Sequence, residues 1–193
     1  TGEKADGTPT TEVYRNEGDG TFTSIGAGLV DVRQKSTATW GDYDGDGDLD
    51  LALSGRDKDN NPVTKIYRNE GDENFTAIGT DITAVDGGEV AWGDYDSDGD
   101  LDLALTGDDD NNDPVTAIYR NDGNGSFTTI GANLTSVSGS LSWGDFNGDG
   151  SLDLALAGYD GDQGIAKIYR NDGGGTFTEI GENLTGVVGS LEW

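Results

Sequence analysis

Three nine-residue stretches carry oxygen ligands at a spacing that can hold a hard cation: Asp42-Tyr43-Asp44-Gly45-Asp46-Gly47-Asp48-Leu49-Asp50, the run from Asp94 to Asp102, and the run from Asp145 to Asp153. All three fit D-x-[DN]-x-D-G-x-x-D. In a tightly wound loop, side chains at positions 1, 3 and 5 turn toward one point. Gly at position 6 permits the sharp bend, the backbone carbonyl of position 7 adds a ligand, and the acid at position 9 closes the shell. This is the logic of the EF-hand loop with its last acid moved three places nearer. Flexible all-oxygen loops favour Ca²⁺ over Mg²⁺, which demands a tighter octahedron and keeps its waters. The chain has neither Cys nor His, so Zn²⁺, Cu²⁺ and haem lose their usual ligands and only Ca²⁺, Mg²⁺ or Mn²⁺ remain.

The elements that must position these loops recur with them. Trp40, Trp92, Trp143 and Trp193 stand 52, 51 and 50 residues apart, and similar sequence surrounds each: Gly-Asp, the Asp-rich loop, Leu-Asp-Leu-Ala-Leu, Tyr-Arg-Asn, then Phe-Thr leading to Ile-Gly. The Tyr of the triplet falls at 14, 67, 119 and 169, and the Phe at 22, 75, 127 and 177. Leu101–Leu105 and Ala117–Asn121 are short apolar or alternating runs bounded by Gly, Asn and Asp, which predicts strands. The segment from Asn121 to Ser126 accepts positive φ and predicts a hairpin turn. Each period therefore holds about four short antiparallel strands, the size of a propeller blade. A blade buries both faces only when neighbours stack on it, so the recurring Trp, Tyr and Phe are expected to fill the layers between blades.

Composition narrows the partners. With 11 basic and 38 acidic residues the formal net charge is -27, which opposes nucleic acid and anionic lipid and is best tolerated if cations bind within the fold. The 33 Gly against 3 Pro, without a collagen triplet, suit many tight turns between short strands. No apolar run of 18 residues and no signal peptide is present, so a soluble chain without membrane insertion is expected. Asp108–Asp113 and its counterparts at Arg56–Asp59 and Tyr159–Asp162 lack Gly-directed spacing and read as solvated hairpin tips. The glycosylation sequons at Asn74, Asn124, Asn133 and Asn183 read as incidental in a chain rich in Asn and Thr.

Trp-Gly-Asp-Tyr-Asp-Gly-Asp-Gly-Asp-Leu-Asp-Leu followed by Tyr-Arg-Asn-x-Gly-x-Gly-x-Phe resembles the FG-GAP and VCBS repeats of integrin-α-like calcium-binding β-propellers, over nearly the whole chain. The resemblance implies an all-β propeller in which each calcium loop joins the innermost strand of a blade to the second. It implies three Ca²⁺ sites with side-chain ligands Asp42, Asp44, Asp46 and Asp50; Asp94, Asp96, Asp98 and Asp102; and Asp145, Asn147, Asp149 and Asp153, with carbonyls from Asp48, Asp100 and Ser151. Asn147 removes one charge, so the third site is expected to be weaker.

In this register the chain is one repeat domain: blade pieces over 1–35, repeats over approximately 36–87, 88–138 and 139–187, and the inner strand of a further blade over 188–193. Propellers of this family usually have about seven blades, so self-association or completion by further repeats is expected. The function expected is that of an extracellular or cell-surface recognition, adhesion or structural module with a protein or glycan ligand. A lectin-like propeller is the alternative, and a non-catalytic segment of a larger secreted enzyme ranks below it. No enzyme activity is expected, because every acidic cluster recurs with the repeat and no single site stands apart from it.

Overall fold

Gly, Asn and Asp interrupt the apolar runs so often that the chain forms only short strands. The computed structural model describes all residues except Gln34, Glu182, Asn183, Thr185, Val187, Val188, Ser190, Glu192 and Trp193. Among the described residues there are sixteen strands and no helix. The inner strand expected over 188–193 rests on residues largely outside this set.

Three four-stranded antiparallel meanders form the body. The first runs β5 (Thr37–Gly41), β6 (Asp50–Arg56), β7 (Pro62–Asn69) and β8 (Phe75–Ala77); the second β9 (Val90–Gly93), β10 (Asp102–Asp108), β11 (Pro114–Asn121) and β12 (Phe127–Thr129); the third β13 (Ser138–Gly144), β14 (Asp153–Tyr159), β15 (Gly164–Asn171) and β16 (Phe177–Ile180). Ahead of them lie two strand pairs, β1 (Gly2–Glu3) with β2 (Pro9–Thr10), and β3 (Tyr14–Asn16) with β4 (Phe22–Ser24). Register repeats from blade to blade: Leu51, Leu103 and Leu154 face Tyr67, Tyr119 and Tyr169. Each second strand is buried almost throughout. That explains why Leu-Asp-Leu-Ala-Leu lacks the alternation of a half-exposed strand.

Blades join through one repeated device. Tyr43, from the Asp loop of the first blade, stacks on Trp92 of the second with ring centroids 5.9 Å apart and planes 11° from parallel, and it also meets Phe127. Asn121 of the second blade donates from Nδ2 to the Tyr43 carbonyl at 2.7 Å. One blade further on, Tyr95 meets Phe177, and Asn171 donates to the Tyr95 carbonyl at 2.7 Å. The Tyr hydroxyls secure the incoming links: those of Tyr67, Tyr119 and Tyr169 accept the N–H groups of Val30, Thr83 and Thr135. The first joint also holds an ion pair, Arg56 Nη2 to the fully buried Asp86 at 2.8 Å, where the second has Ser138 donating to the Gly87 carbonyl.

Not every repeated aromatic enters these layers. Tyr14 is 56% exposed, Phe22 64% and Trp40 45%, against the expectation that all would be core. The correction is one of neighbours: β3 and β4 form a sheet of two strands, and among the described residues no strand stands on the open side of β3. Burial therefore depends on the adjoining blade, which the residue type cannot report.

The Gly of Trp-Gly-Asp has a packing reason. A Cβ on Gly41 would stand 2.5 Å from the Trp92 ring, and one on Gly93 would stand 2.6 Å from that of Trp143, because each Trp lies on the backbone of the preceding blade. Gly93→Ala should therefore cost about 1–3 kcal/mol of stability by overpacking. A lower urea midpoint is the expected result, and an unchanged one would show that Trp143 can move aside.

Candidate metal centre

Each Asp loop sits where the sequence places it, between the innermost and second strands. The position-6 glycines Gly47, Gly99 and Gly150 have φ of 95°, 98° and 90°, a conformation that costs any other residue a steric penalty. Position 4, an unspecified x in the motif, is left-handed too: Gly45, Ser97 and Gly148 have φ of 71°, 61° and 75°. The two bends turn successive N–H groups inward. Asp42 accepts from Gly47 N–H at 3.1 Å, Asp94 from Asp98 and Gly99 at 3.1 Å each, and Asp145 from Gly148, Asp149 and Gly150 at 2.8–3.1 Å.

Asp42, Asp44 and Asp50 converge so that one carboxylate oxygen from each lies within 4.8 Å of the others, and Asp94, Asp96 and Asp102 do the same. Positions 1, 3 and 9 thus meet in two loops. The position-5 acids are engaged with backbone: Asp46 accepts from Asp48 N–H at 2.9 Å, Asp98 from Asp100 at 3.0 Å, and Asp149 from Ser151 at 2.8 Å. Asp48, Asp100 and Ser151 hold position 7, their N–H groups bonded to these position-5 carboxylates.

In the third loop Asn147 takes the place of an acid. Its amide donates to Asp149 at 2.8 Å, and no such trio of carboxylates forms there among the described residues. The Ser151 N–H, followed by the Asn147 amide, holds the Asp149 carboxyl below its ordinary range.

The fit to a cation rests on one orphaned atom. Asp42 Oδ1 is buried without any hydrogen-bond donor, although a buried carboxylate oxygen is costly unless a donor or a cation meets it. The electrostatics agree. Burial, reinforced by neighbouring acids, pushes the Asp50 carboxyl up to about 6 and that of Asp102 up to about 7, against the pull of two backbone N–H donors each. Burial and then the position-5 acids raise Asp44 and Asp96 as well.

These shifts set a pH dependence for the metal-free chain. Above the ordinary Asp pKa of 3.8 and below the raised values near 6 and 7, the native state holds protons that the unfolded state has lost. Stability therefore falls as pH rises through that window. Denaturation of dialysed protein from pH 4 to pH 7.5 should show a falling urea midpoint. A rising midpoint would place the carboxylates outside a desolvated cluster.

The position-9 acids do more than complete a ligand shell. Asp50 takes the Tyr43 N–H on Oδ2 at 3.1 Å and the Asn69 N–H on Oδ1 at 2.8 Å. Asp102 repeats this with Tyr95 and Asn121, and Asp153 with Phe146 and Asn171. One carboxylate thus ties the start of the loop to the end of the third strand. Sequence reasoning also passed over the Asn of Tyr-Arg-Asn, which supplies that third-strand N–H and the amide reaching into the preceding blade. Its presence in all four copies of the triplet was the available signal. The hairpin tips hold a further repeat missed in the sequence: Asp57, Asp109 and Asp160 each accept N–H groups from the residues that follow.

Comparison with known proteins accords with this geometry. A family model described as FG-GAP-like repeat matches residues 5–53, 42–105, 94–156 and 145–191, successive matches overlapping on the Asp loops. No curated protein matches the chain. Among solved structures, an Agrocybe aegerita lectin described by its specific recognition of non-reducing terminal N-acetylglucosamine superposes with a TM-score of 0.53 at 21% identity. The match covers 89% of this chain and 46% of the lectin, so the chain spans less than half of that relative, and the likeness is one of fold.

Proposed function

Because the chain belongs to the FG-GAP-like repeat family, we propose that it is a non-catalytic, Ca²⁺-binding recognition or adhesion module that works outside the cell. The observation that carries this reading is the convergence of Asp42, Asp44 and Asp50, with a buried, donorless oxygen on Asp42; Asp94, Asp96 and Asp102 repeat the convergence. Ca²⁺ held there would neutralise the cluster and bind the innermost strand, the loop and the second strand of each blade together. One oxygen of Asp42 and both of Asp94 accept loop N–H groups, and Asp50 and Asp102 are fixed by backbone donors, so most ligands are already oriented. Millimolar extracellular Ca²⁺ would keep even weak sites of this kind occupied.

Calorimetric titration of dialysed protein tests the reading. Two stronger Ca²⁺ sites and a weaker third are expected, with Mg²⁺ a poor substitute. No binding heat at millimolar Ca²⁺ would refute it.

Glycan binding is a second reading, favoured by the lectin relative and by a cleft of about 290 Å³ between the second and third blades. Arg120, Asp96, Thr128 and the backbone of Gly174 and Gly175 line it beside Tyr95. This mixture of apolar wall and convergent polar groups suits a sugar ring. A glycan array in Ca²⁺ buffer that retained no sugar would remove this reading without touching the first.

A further inference from the structure

The chain holds two Asn-Gly pairs: Asn124-Gly125 in the hairpin turn between β11 and β12, and Asn147-Gly148 at positions 3 and 4 of the third Asp loop. Such a pair can react with itself, because no side chain on the glycine hinders its nitrogen from attacking the preceding amide carbon, and the attack is intramolecular. Both Asn residues are exposed. Position 3 is exposed in the first two loops as well, at Asp44 and Asp96, so a following blade does not cover it.

The two pairs differ in what surrounds them. The Gly148 N–H donates to Asp145 Oδ1 at 2.8 Å, which puts a carboxylate where it can take the proton of the attacking nitrogen. Asn147 Oδ1 accepts the Asp149 N–H at 2.8 Å, a donor that stabilises the negative charge growing on this oxygen as the nitrogen adds. Asn147 Nδ2 donates to Asp149 Oδ2 at 2.8 Å, so a second carboxylate faces the departing ammonia. At Asn124 the Oδ1 also has donors, from the N–H and hydroxyl of Ser126. Among the described residues, however, no carboxylate accepts the Gly125 N–H.

We propose that Asn147-Gly148 is a self-modifying site, at which the loop converts its own Asn147 to an acid. The Gly148 nitrogen forms a bond to Asn147 Cγ and passes its proton to Asp145. The Cγ–Nδ2 bond then breaks, and the amide nitrogen leaves as ammonia with that proton, which closes a cyclic succinimide. Water opens the ring. Cleavage of the bond from nitrogen to Cγ yields aspartate at position 147 on an ordinary backbone, and cleavage at the main-chain carbonyl carbon yields isoaspartate, in which the chain runs through the side chain. Water is consumed and ammonia released in equal amounts, with no cofactor. The aspartate product gives the third loop the acid that the first two carry as Asp44 and Asp96, whereas isoaspartate lengthens the backbone and displaces the acids that follow. The gain in the third Ca²⁺ site rests on the calcium reading; the conversion itself does not.

Peptide mapping by mass spectrometry tests the conversion on the full chain, held in EDTA at mildly alkaline pH. Asn147 should convert at least about tenfold faster than Asn124, since a positioned base contributes at least that much. In urea, where the contacts are lost, the two rates should converge. Asp145→Asn keeps an oxygen acceptor but is a far weaker base, so it should bring Asn147 down toward Asn124, whose unchanged rate is the internal control. Equal rates in the native chain, a difference that survives in urea, or one that survives Asp145→Asn would overturn the proposal. Calorimetric titration of Asn147→Asp tests the product: its third Ca²⁺ site should tighten at least about tenfold, because ligand charge sets affinity in such loops. An unchanged third site would overturn that gain. Absence of Ca²⁺ binding at every loop would remove the calcium reading instead, and the mass change would still decide the conversion.

Discussion

Chelating divalent cations should lower the thermal midpoint of this protein by roughly 10–20 °C. The figure follows from two occupied loops, each contributing about 2.7 kcal/mol when Ca²⁺ stands at a hundredfold excess over its dissociation constant. In a domain of this size one kcal/mol moves the midpoint by roughly 2–4 °C. The loops are suited to so large a response because their acids face one another at close range: the metal-free cluster must protonate, as the raised Asp50 and Asp102 indicate, or bear the repulsion. Scanning calorimetry with EDTA and with excess Ca²⁺, both at low ionic strength, gives the answer. Coincident transitions would sink the structural-calcium reading.

Asp102→Ala should destabilise the chain far more than Asp98→Ala, and the gap should persist in EDTA. Asp98 is exposed and accepts from its own loop, so its loss removes a candidate ligand and little else. Asp102 is fully buried, and truncating it leaves the N–H groups of Tyr95 and Asn121 without acceptors. Each orphaned buried donor costs about 1–3 kcal/mol, so a total of about 2–6 kcal/mol is expected without any metal. For Asp98→Ala the cost should appear only when Ca²⁺ is present, together with one lost binding site. Urea unfolding of both variants in EDTA separates the roles. Equal midpoints there would mean that Asp102 acts as a ligand and not as a clamp between strands.

What the sequence determined by itself is local. Spacing along a few residues dictates that Gly47, Gly99 and Gly150 bend, that side chains at positions 1, 3, 5 and 9 can be drawn toward one point, of which 1, 3 and 9 meet in two loops, and that Leu-Asp-Leu-Ala-Leu between turn residues is a strand. Repetition at about fifty residues then makes the blade legible, because one unit cannot bury its own faces. Tertiary structure decided everything that needs a partner distant in sequence. Asp50 clamps an N–H 19 residues away, and Asn121 reaches a carbonyl 78 residues away. The same Trp is mostly covered at positions 92 and 143 but 45% exposed at position 40. Residue type sets what a side chain can bury or bond, but the neighbouring blade sets whether it does, and neighbours are a property of packing that a linear pattern does not carry.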